Sequence, residues 1–292
     1  MSKNKQNFGG KWTTEKLLSL EKYLKAYSKI MNNTNFNFAF IDAFAGTGYF
    51  KEVSTNQCSM LMPEFGVEEK QFLEGSTRIA LGVDPPFKKY IFIEKEKYRC
   101  DELTKIKSEF PDKESKIEIV RDEANKFLCE ICSKNWSKHR AVVFLDPFGM
   151  QIKWSTPEAI AYTKAIDLWF LFPLGQAVNR LLKRDGKINE ANKLRLDEIF
   201  GTDDWYKKFY TVITENNLFD GEYEKIQKKA DFQTITSYFT ERLSTVFPAV
   251  VSSPKPLLNS VNRPLFLLCF AAGNKKGAPT ALKIANSILR NN

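Results

Sequence analysis

The sequence predicts an α/β fold built on a doubly wound, mostly parallel sheet of seven strands, with an antiparallel strand at its edge and helical insertions. Three observations predict it. Short apolar runs alternate with amphipathic segments from residue 36 to residue 182, the rhythm of parallel strands joined by crossover helices. Most of those runs stop at an acid or a proline. Apolar residues make up 43% of the 292-residue chain, 24 of them Phe, which is enough for one large core and excludes a wholly disordered chain.

Along the chain, Leu17, Leu18, Leu20, Tyr23, Leu24 and Tyr27 recur at helical spacing between Thr13 and Ile30, with Thr13 as a cap. Phe36 to Ile41 reads as a buried strand ending at Asp42. Strands follow at Tyr90–Ile93, Ile117–Val120, Ala141–Leu145 and Leu168–Phe172, closed by Glu94, Asp122, Asp146 and Pro173. Helices are expected over Lys95–Phe110, Glu123–Lys134, Thr156–Thr163 and Gln176–Leu182. Ser155-Thr156-Pro157-Glu158 adds a capping box. After a helix near Thr234–Val246, Ala249–Val251 and Leu265–Ala271 are joined by too few residues for a crossover helix, so they are expected to pair antiparallel at the sheet edge. The whole of 1–292 is expected to be a single domain, with an insertion or lid at 51–75 and a helical insertion at 183–232.

The longest apolar runs, Leu168–Leu174 and Leu265–Ala272, fall far short of the roughly 20 residues that span a bilayer. No secretory signal is evident, so a soluble, cytoplasmic protein without a membrane is expected. Five cysteines read as free thiols, and Cys129 with Cys132 form a C-x2-C without a second pair. With His139 as the one histidine, neither a histidine-based metal site nor a Ser-His-Asp hydrolase is expected. Net charge is +9: residues 1–36 hold seven Lys against Glu15 and Glu21, and residues 252–292 hold six Lys or Arg and no acid. A polyanionic partner and an ordinary solvated surface both account for this.

Ligands of open α/β sheets bind beyond the carboxyl ends of the strands, and the candidate residues gather there. Asp42-Ala43-Phe44-Ala45-Gly46-Thr47-Gly48 follows the first strand. Its glycines allow close backbone approach and its amides can hold a carboxylate, while Phe44 packs beneath. Glu94, followed by Lys95, can accept both hydroxyls of a ribose, and Asp122, followed by Glu123, can accept from an adenine amino group. Each acid alone is more often a solvated strand end; three in succession point to an adenosine-containing cofactor. The nicotinamide fingerprint fits poorly, because Tyr49-Phe50-Lys51 lacks the third glycine. Asp146-Pro147-Phe148-Gly149 ends the fourth strand. Asp146 and a carbonyl beside Pro147 can accept from an exocyclic amine while Phe148 offers a stacking face; a strand-to-helix turn with a buried Phe is the plainer alternative. Trp12 and Lys16 could close over this pocket, though ordinary packing and solvation are the simpler reading. Trp205, Tyr206, Phe209 and Tyr210 read more simply as a helix face against the core than as a stacking platform.

FIDAFAGTG, FIEKE and FLDPFGMQ resemble the corresponding segments of Rossmann-like class I S-adenosylmethionine methyltransferases. The similarity is greatest to the three-Cys-motif partner protein family, and it extends to WTTEKLLSLEKYL and EGSTRIAL. The resemblance implies S-adenosyl-L-methionine as cofactor, with Asp42, Phe44, Ala45, Gly46, Thr47 and Gly48 at its methionine end, Glu94 and Lys95 at the ribose, and Asp122 and Glu123 at the adenine. Asp146, Pro147, Phe148 and Gly149 would be the catalytic segment, with Asp146 also facing the cofactor. The segment departs from the D-P-P-Y form of many adenine-N6 enzymes and is similar to the motif of tRNA guanine-N2 dimethyltransferases. The activity implied is methylation of an exocyclic amine of DNA or RNA, with nucleic acid as partner and a three-Cys-motif protein as a second. The alternatives are a protein or small-molecule methyltransferase and a noncatalytic cofactor-binding subunit.

Overall fold

The computed structural model describes residues 11–46, 75–217 and 221–290. The first helix, α1 (Lys11–Met31), leads into β1 (Asn37–Asp42). Then come α2 (Gly75–Gly82), β2 (Lys89–Glu94), α3 (Lys97–Glu109), a 3-10 turn at Pro111–Lys116, β3 (Ile117–Arg121), α4 (Ala124–Cys132), β4 (His139–Leu145), α5 (Ser155–Tyr162) and β5 (Ile166–Phe172). The remainder comprises α6 (Glu190–Phe200), α7 (Trp205–Phe209), β6 (Tyr210–Asn217), β7 (Gly221–Lys228), α8 (Phe232–Val246), β8 (Ala249–Val250), β9 (Lys255–Leu258), β10 (Pro264–Ala272) and α9 (Ala278–Arg290). Apart from Gly75, the predicted insertion at 51–75 lies outside the described residues, as do Thr47 and Gly48.

The main sheet runs β3-β2-β1-β4-β5-β10-β8, with β9 also paired to β10. Pairs among β1 to β5 are parallel, and β10 is antiparallel to β5, β8 and β9. Since β8 pairs with Ala271 and Ala272 and β9 with Pro264 to Leu268, the two lie end to end along one border of β10. This is the mostly parallel, Rossmann-like sheet that the sequence predicts, with its antiparallel pair at the expected end, but it has eight strands and not seven, because Lys255–Leu258, expected to be part of a connection, pairs with the border of β10 as β9.

Alternation of side chains explains the two layers. Ala141, Val143 and Leu145 of β4, with Ile166, Leu168, Phe170 and Phe172 of β5, join the core formed with α4, α5, α6, α7 and α8. Their neighbours Val142, Phe144, Trp169 and Leu171 join the opposite core with α1, α2, α3 and α9. In the first core, Phe239 of α8 is fully buried and stacks on Phe172 at 3.8 Å, with Phe170 edge-on at 5.5 Å. Phe239→Ala should therefore lower unfolding free energy by about 3–5 kcal/mol, read from the urea midpoint.

Two expectations need correction. The segment 183–232 is not wholly helical: α6 and α7 occupy its first half, but β6 and β7 form a separate antiparallel hairpin. Thr211-Val212-Ile213-Thr214 is a run of four β-branched residues, which suits a strand. Across the hairpin, Glu215 accepts from Tyr223 Oη at 2.7 Å and pairs with Lys225 at 3.1 Å. Trp205 and Phe209 are buried, so the aromatic cluster packs inward, although Tyr210 begins β6. The predicted helix at Gln176–Leu182 begins instead as a π turn over Leu174–Val178, where Ala177 and Val178 N–H both donate to Pro173 O at 3.2 and 3.1 Å. Among the described residues, no helix is long and apolar enough to cross a membrane.

Candidate active site

The register brings the candidate acids to one border of the sheet. Asp42 lies opposite Phe92 and Phe144, so β1 ends between Glu94 of β2 and Asp146 just beyond β4. The chain then turns into the gap: Ala43 N–H donates to Phe144 O and Ala45 N–H to Ile93 O, both at 3.1 Å. Phe44 packs partly buried against the core beneath, and Ala45 is fully buried. Gly46 has φ +62°, a left-handed conformation that favours glycine.

Asp42 is fully buried. Its Oδ1 accepts from Phe44 N–H at 3.2 Å, while Oδ2 has no hydrogen-bond partner among the described residues. Loss of hydration pushes its pKa up to about 7, and the charge of Asp146 adds to the rise; the Ser76 hydroxyl, the Phe44 amide and Lys16 act against it. Ser76 and Thr77, at the start of α2, are buried, and Thr77 Oγ1 also lacks a partner among the described residues.

Glu94 is buried, and its Oε1 accepts from Glu96 N–H at 2.9 Å. Its Oε2 faces the Arg99 guanidinium at 3.5 Å. Arg99 also lies over the Phe148 ring at 5.4 Å, so one side chain on α3 ties the end of β2 to the segment after β4. Lys95 is exposed. Asp122 is more open: Glu123 N–H at 2.8 Å and Lys126 Nζ at 3.1 Å hold its pKa below the usual value. The Glu123 carboxylate caps α4, accepting from Asn125 and Lys126 N–H at 3.1 and 2.9 Å.

Asn125 secures the segment after β4. Its Nδ2 donates to Gln151 O at 2.8 Å, and its Oδ1 accepts from Lys153 N–H at 3.0 Å and Thr156 Oγ1 at 2.7 Å. Within that segment Pro147 is buried, Phe148 is half-buried and Gly149 has φ +70° with open space around it. Gly149 is thus suited to the backbone turn it makes and not to a close packing contact. Asp146, 10% exposed, bonds through Oδ2 to Lys16 Nζ at 2.6 Å. Burial raises its pKa and Lys16 opposes the rise.

Lys16 is fully buried. It lies on the inward face of α1 beneath Trp12, its Nζ 5.7 Å from that ring and 5.6 Å from Phe144. Ordinary packing and solvation are the simpler expectations for Trp12 and Lys16, and the structure buries both. The signal was the position of Lys16 in the series Trp12, Lys16, Leu20, Tyr23, Tyr27, all of which prove buried. Nothing in the spacing singled out Arg99. Asp42, Glu94 and Asp146 converge at three neighbouring strand ends, whereas Asp122 belongs to the outer rim at the end of β3. Two shallow clefts of about 350 and 450 Å³ lie elsewhere, one around Trp136 and Arg140 and one around Lys207 and Arg242, and contain none of the candidate residues.

No protein-family model and no curated protein sequence matches the chain. Solved structures similar to it include a DUF519-family protein of Legionella pneumophila, at 14% identity and TM-score 0.41, covering 79% of this chain and 93% of that one. Spermidine synthase of Thermotoga maritima is similar at 12% identity and TM-score 0.40, covering 91% of this chain and 60% of that one. A Listeria monocytogenes protein named as a candidate S-adenosylmethionine-dependent methyltransferase aligns at 13% identity and TM-score 0.33, covering 86% and 97%.

Proposed function

We propose that the chain is an S-adenosylmethionine-dependent methyltransferase acting on an exocyclic amine of a nucleobase in DNA or RNA. One observation carries the reading: Asp42 and Asp146 are two carboxylates held out of water at adjacent strand ends, beside the point where strand order reverses. Buried acids of this kind need a ligand or partner to offset their desolvation.

The residues fit such a cofactor. Asp42 has a buried oxygen without a partner among the described residues, suited to a donor at the methionine end, together with Phe44, Ala45, Gly46, Thr47 and Gly48. Glu94 and Lys95 would hold the ribose and Asp122 the adenine rim, with Glu123 fixing the backbone beside it. When bound, the cofactor supplies a methyl group made electrophilic by a sulfonium. Asp146 would accept an N–H of the acceptor, aiming the amine, while Pro147 and Gly149 shape the turn and Phe148 stacks on the base. A duplex base would be flipped out of its stack to reach these groups. The resemblance of FIDAFAGTG, FIEKE and DPFG supports membership of the three-Cys-motif partner family, with a three-Cys-motif protein as a second partner.

Purified protein incubated with methyl-labelled cofactor and separate DNA, RNA, protein and small-molecule fractions tests the reading. Label is expected in a nucleic-acid fraction. Label in protein or small molecules would transfer the activity to that class, and cofactor binding without label anywhere would make the chain a noncatalytic subunit. The net charge of +9 further predicts nucleic-acid affinity that falls at least tenfold between 50 and 200 mM salt, as roughly 3 or more phosphate counterions are released. Fluorescence anisotropy measures this, and a flat salt response would exclude phosphate contact.

A further inference from the structure

Lys16, like Asp42, has no exposed surface beside the candidate site, and its ammonium meets Asp146 Oδ2 at 2.6 Å. It is carried on a firmly seated helix. Glu15 pairs with Lys255 of β9 at 3.2 Å, Trp12 packs on Phe266 of β10 at 5.0 Å, and Tyr23 Oη donates to Asp167 at 2.8 Å. The ammonium is therefore presented to Asp146 from a fixed position and not from a loose surface arm. Asp146 Oδ1 accepts no hydrogen bond among the described residues.

We infer that Lys16 is the positioning residue of the acceptor subsite, binding one oxygen of Asp146 so that the other takes a single N–H of an uncharged, nucleobase-type amine. This deepens the proposed function and rests on it for the identity of the reaction. Among the described residues, the charged groups coupled to Asp146 are Lys16 from α1 and Asp42 from β1; β5 ends beside them in Phe170, Leu171 and Phe172. Without Lys16, burial would favour a protonated Asp146, which donates a hydrogen bond where an amine needs an acceptor. With Lys16 in place, the carboxylate already faces one cation. An aliphatic ammonium, as in a lysine side chain or a polyamine, would have to enter beside Lys16 against like charge. An aryl amine is neutral and brings only its N–H.

Carboxyl-carbon NMR of aspartate-labelled protein, with Asp146 assigned by its absence in Asp146→Asn, tests the positioning role without cofactor. In Lys16→Met the Asp146 titration should move upward by more than one pH unit, and Lys16→Arg should return it towards wild type. An unchanged titration in Lys16→Met overturns the inference; Lys16→Gln gives the same comparison if the methionine variant does not fold. Acceptor class is tested with labelled cofactor and adenosine, guanosine, spermidine or a lysine-rich peptide. Wild type is expected to favour the nucleosides at least tenfold, and Lys16→Met to narrow that preference. Equal labelling of spermidine or the peptide by wild type would overturn the uncharged-acceptor inference. Absence of label from every acceptor would instead count against the proposed function, and the NMR titration would still decide the role of Lys16.

Discussion

Asp146→Asn should lower methyl transfer at least a hundredfold while cofactor affinity stays within about threefold of wild type, a loss of roughly 2.7 kcal/mol or more in transition-state stabilisation. The amide can still accept from Lys16 through its oxygen, so the 2.6 Å contact has a neutral counterpart and the fold is kept. What changes is the group offered to the acceptor, since a neutral amide is a weaker hydrogen-bond acceptor than a carboxylate. Asp146→Ala is a different experiment. It leaves the buried Lys16 ammonium without this carboxylate, and removing one partner of a buried ion pair costs about 3–5 kcal/mol. The alanine variant should therefore lose stability as well as turnover. Single-turnover rates with calorimetric cofactor titration separate the two effects; transfer by Asp146→Asn at the wild-type rate would remove Asp146 from the chemistry.

Asp42→Asn should change how stability depends on pH. In the folded protein the Asp42 pKa is pushed up to about 7 from an ordinary value of 3.8. An acid whose pKa rises on folding binds its proton more tightly in the native state. Its contribution is fully present below about pH 4 and is lost as pH rises through 7. Above that range the native state carries a buried carboxylate, at a cost on the order of 4 kcal/mol for a shift of about three units. Asp42→Asn should be more stable than wild type at pH 8, by about 2–4 kcal/mol, and nearly equal to it at pH 4, as read from urea midpoints. The same ionisation bears on the ligand. Affinity for a cofactor with net positive charge should rise in wild type between pH 6 and 8, and the variant should flatten that rise. Parallel pH profiles for the two proteins would place the titration elsewhere.

The parts of the fold legible in sequence were those whose physics is local and repetitive. Parallel strands covered on both faces read as apolar runs, which is why β1 to β5 and the acids that close them could be located from Phe40, Ile93 or Val143 and their neighbours. The hairpin of β6 and β7 was missed because its exposed Glu222, Glu224, Lys225 and Gln227 carry little strand signal. Helix α9 was also overlooked, although Ala278, Ala285, Ile288 and Leu289 mark its buried side. At the site, the acids at strand ends could be named one by one. What sequence could not supply was their company. Lys16 is 130 positions from Asp146, and only the seating of α1 across the sheet makes them neighbours.

The insertion of β10 between β5 and the broken β8–β9 border also sets a timetable for biosynthesis. The helix that presents Lys16 is translated before the sheet, but the Lys255 and Phe266 contacts that seat it come more than 200 residues later, as does Gly273, which bonds to the Asp167 carboxylate that Tyr23 also meets. A nascent chain halted after β5 would have Asp42, Glu94 and Asp146 in hand without that clamp. Released chains truncated before and after residue 273 should therefore differ sharply in protease resistance of the first helix, with protection arriving only once the late strand has slotted into place.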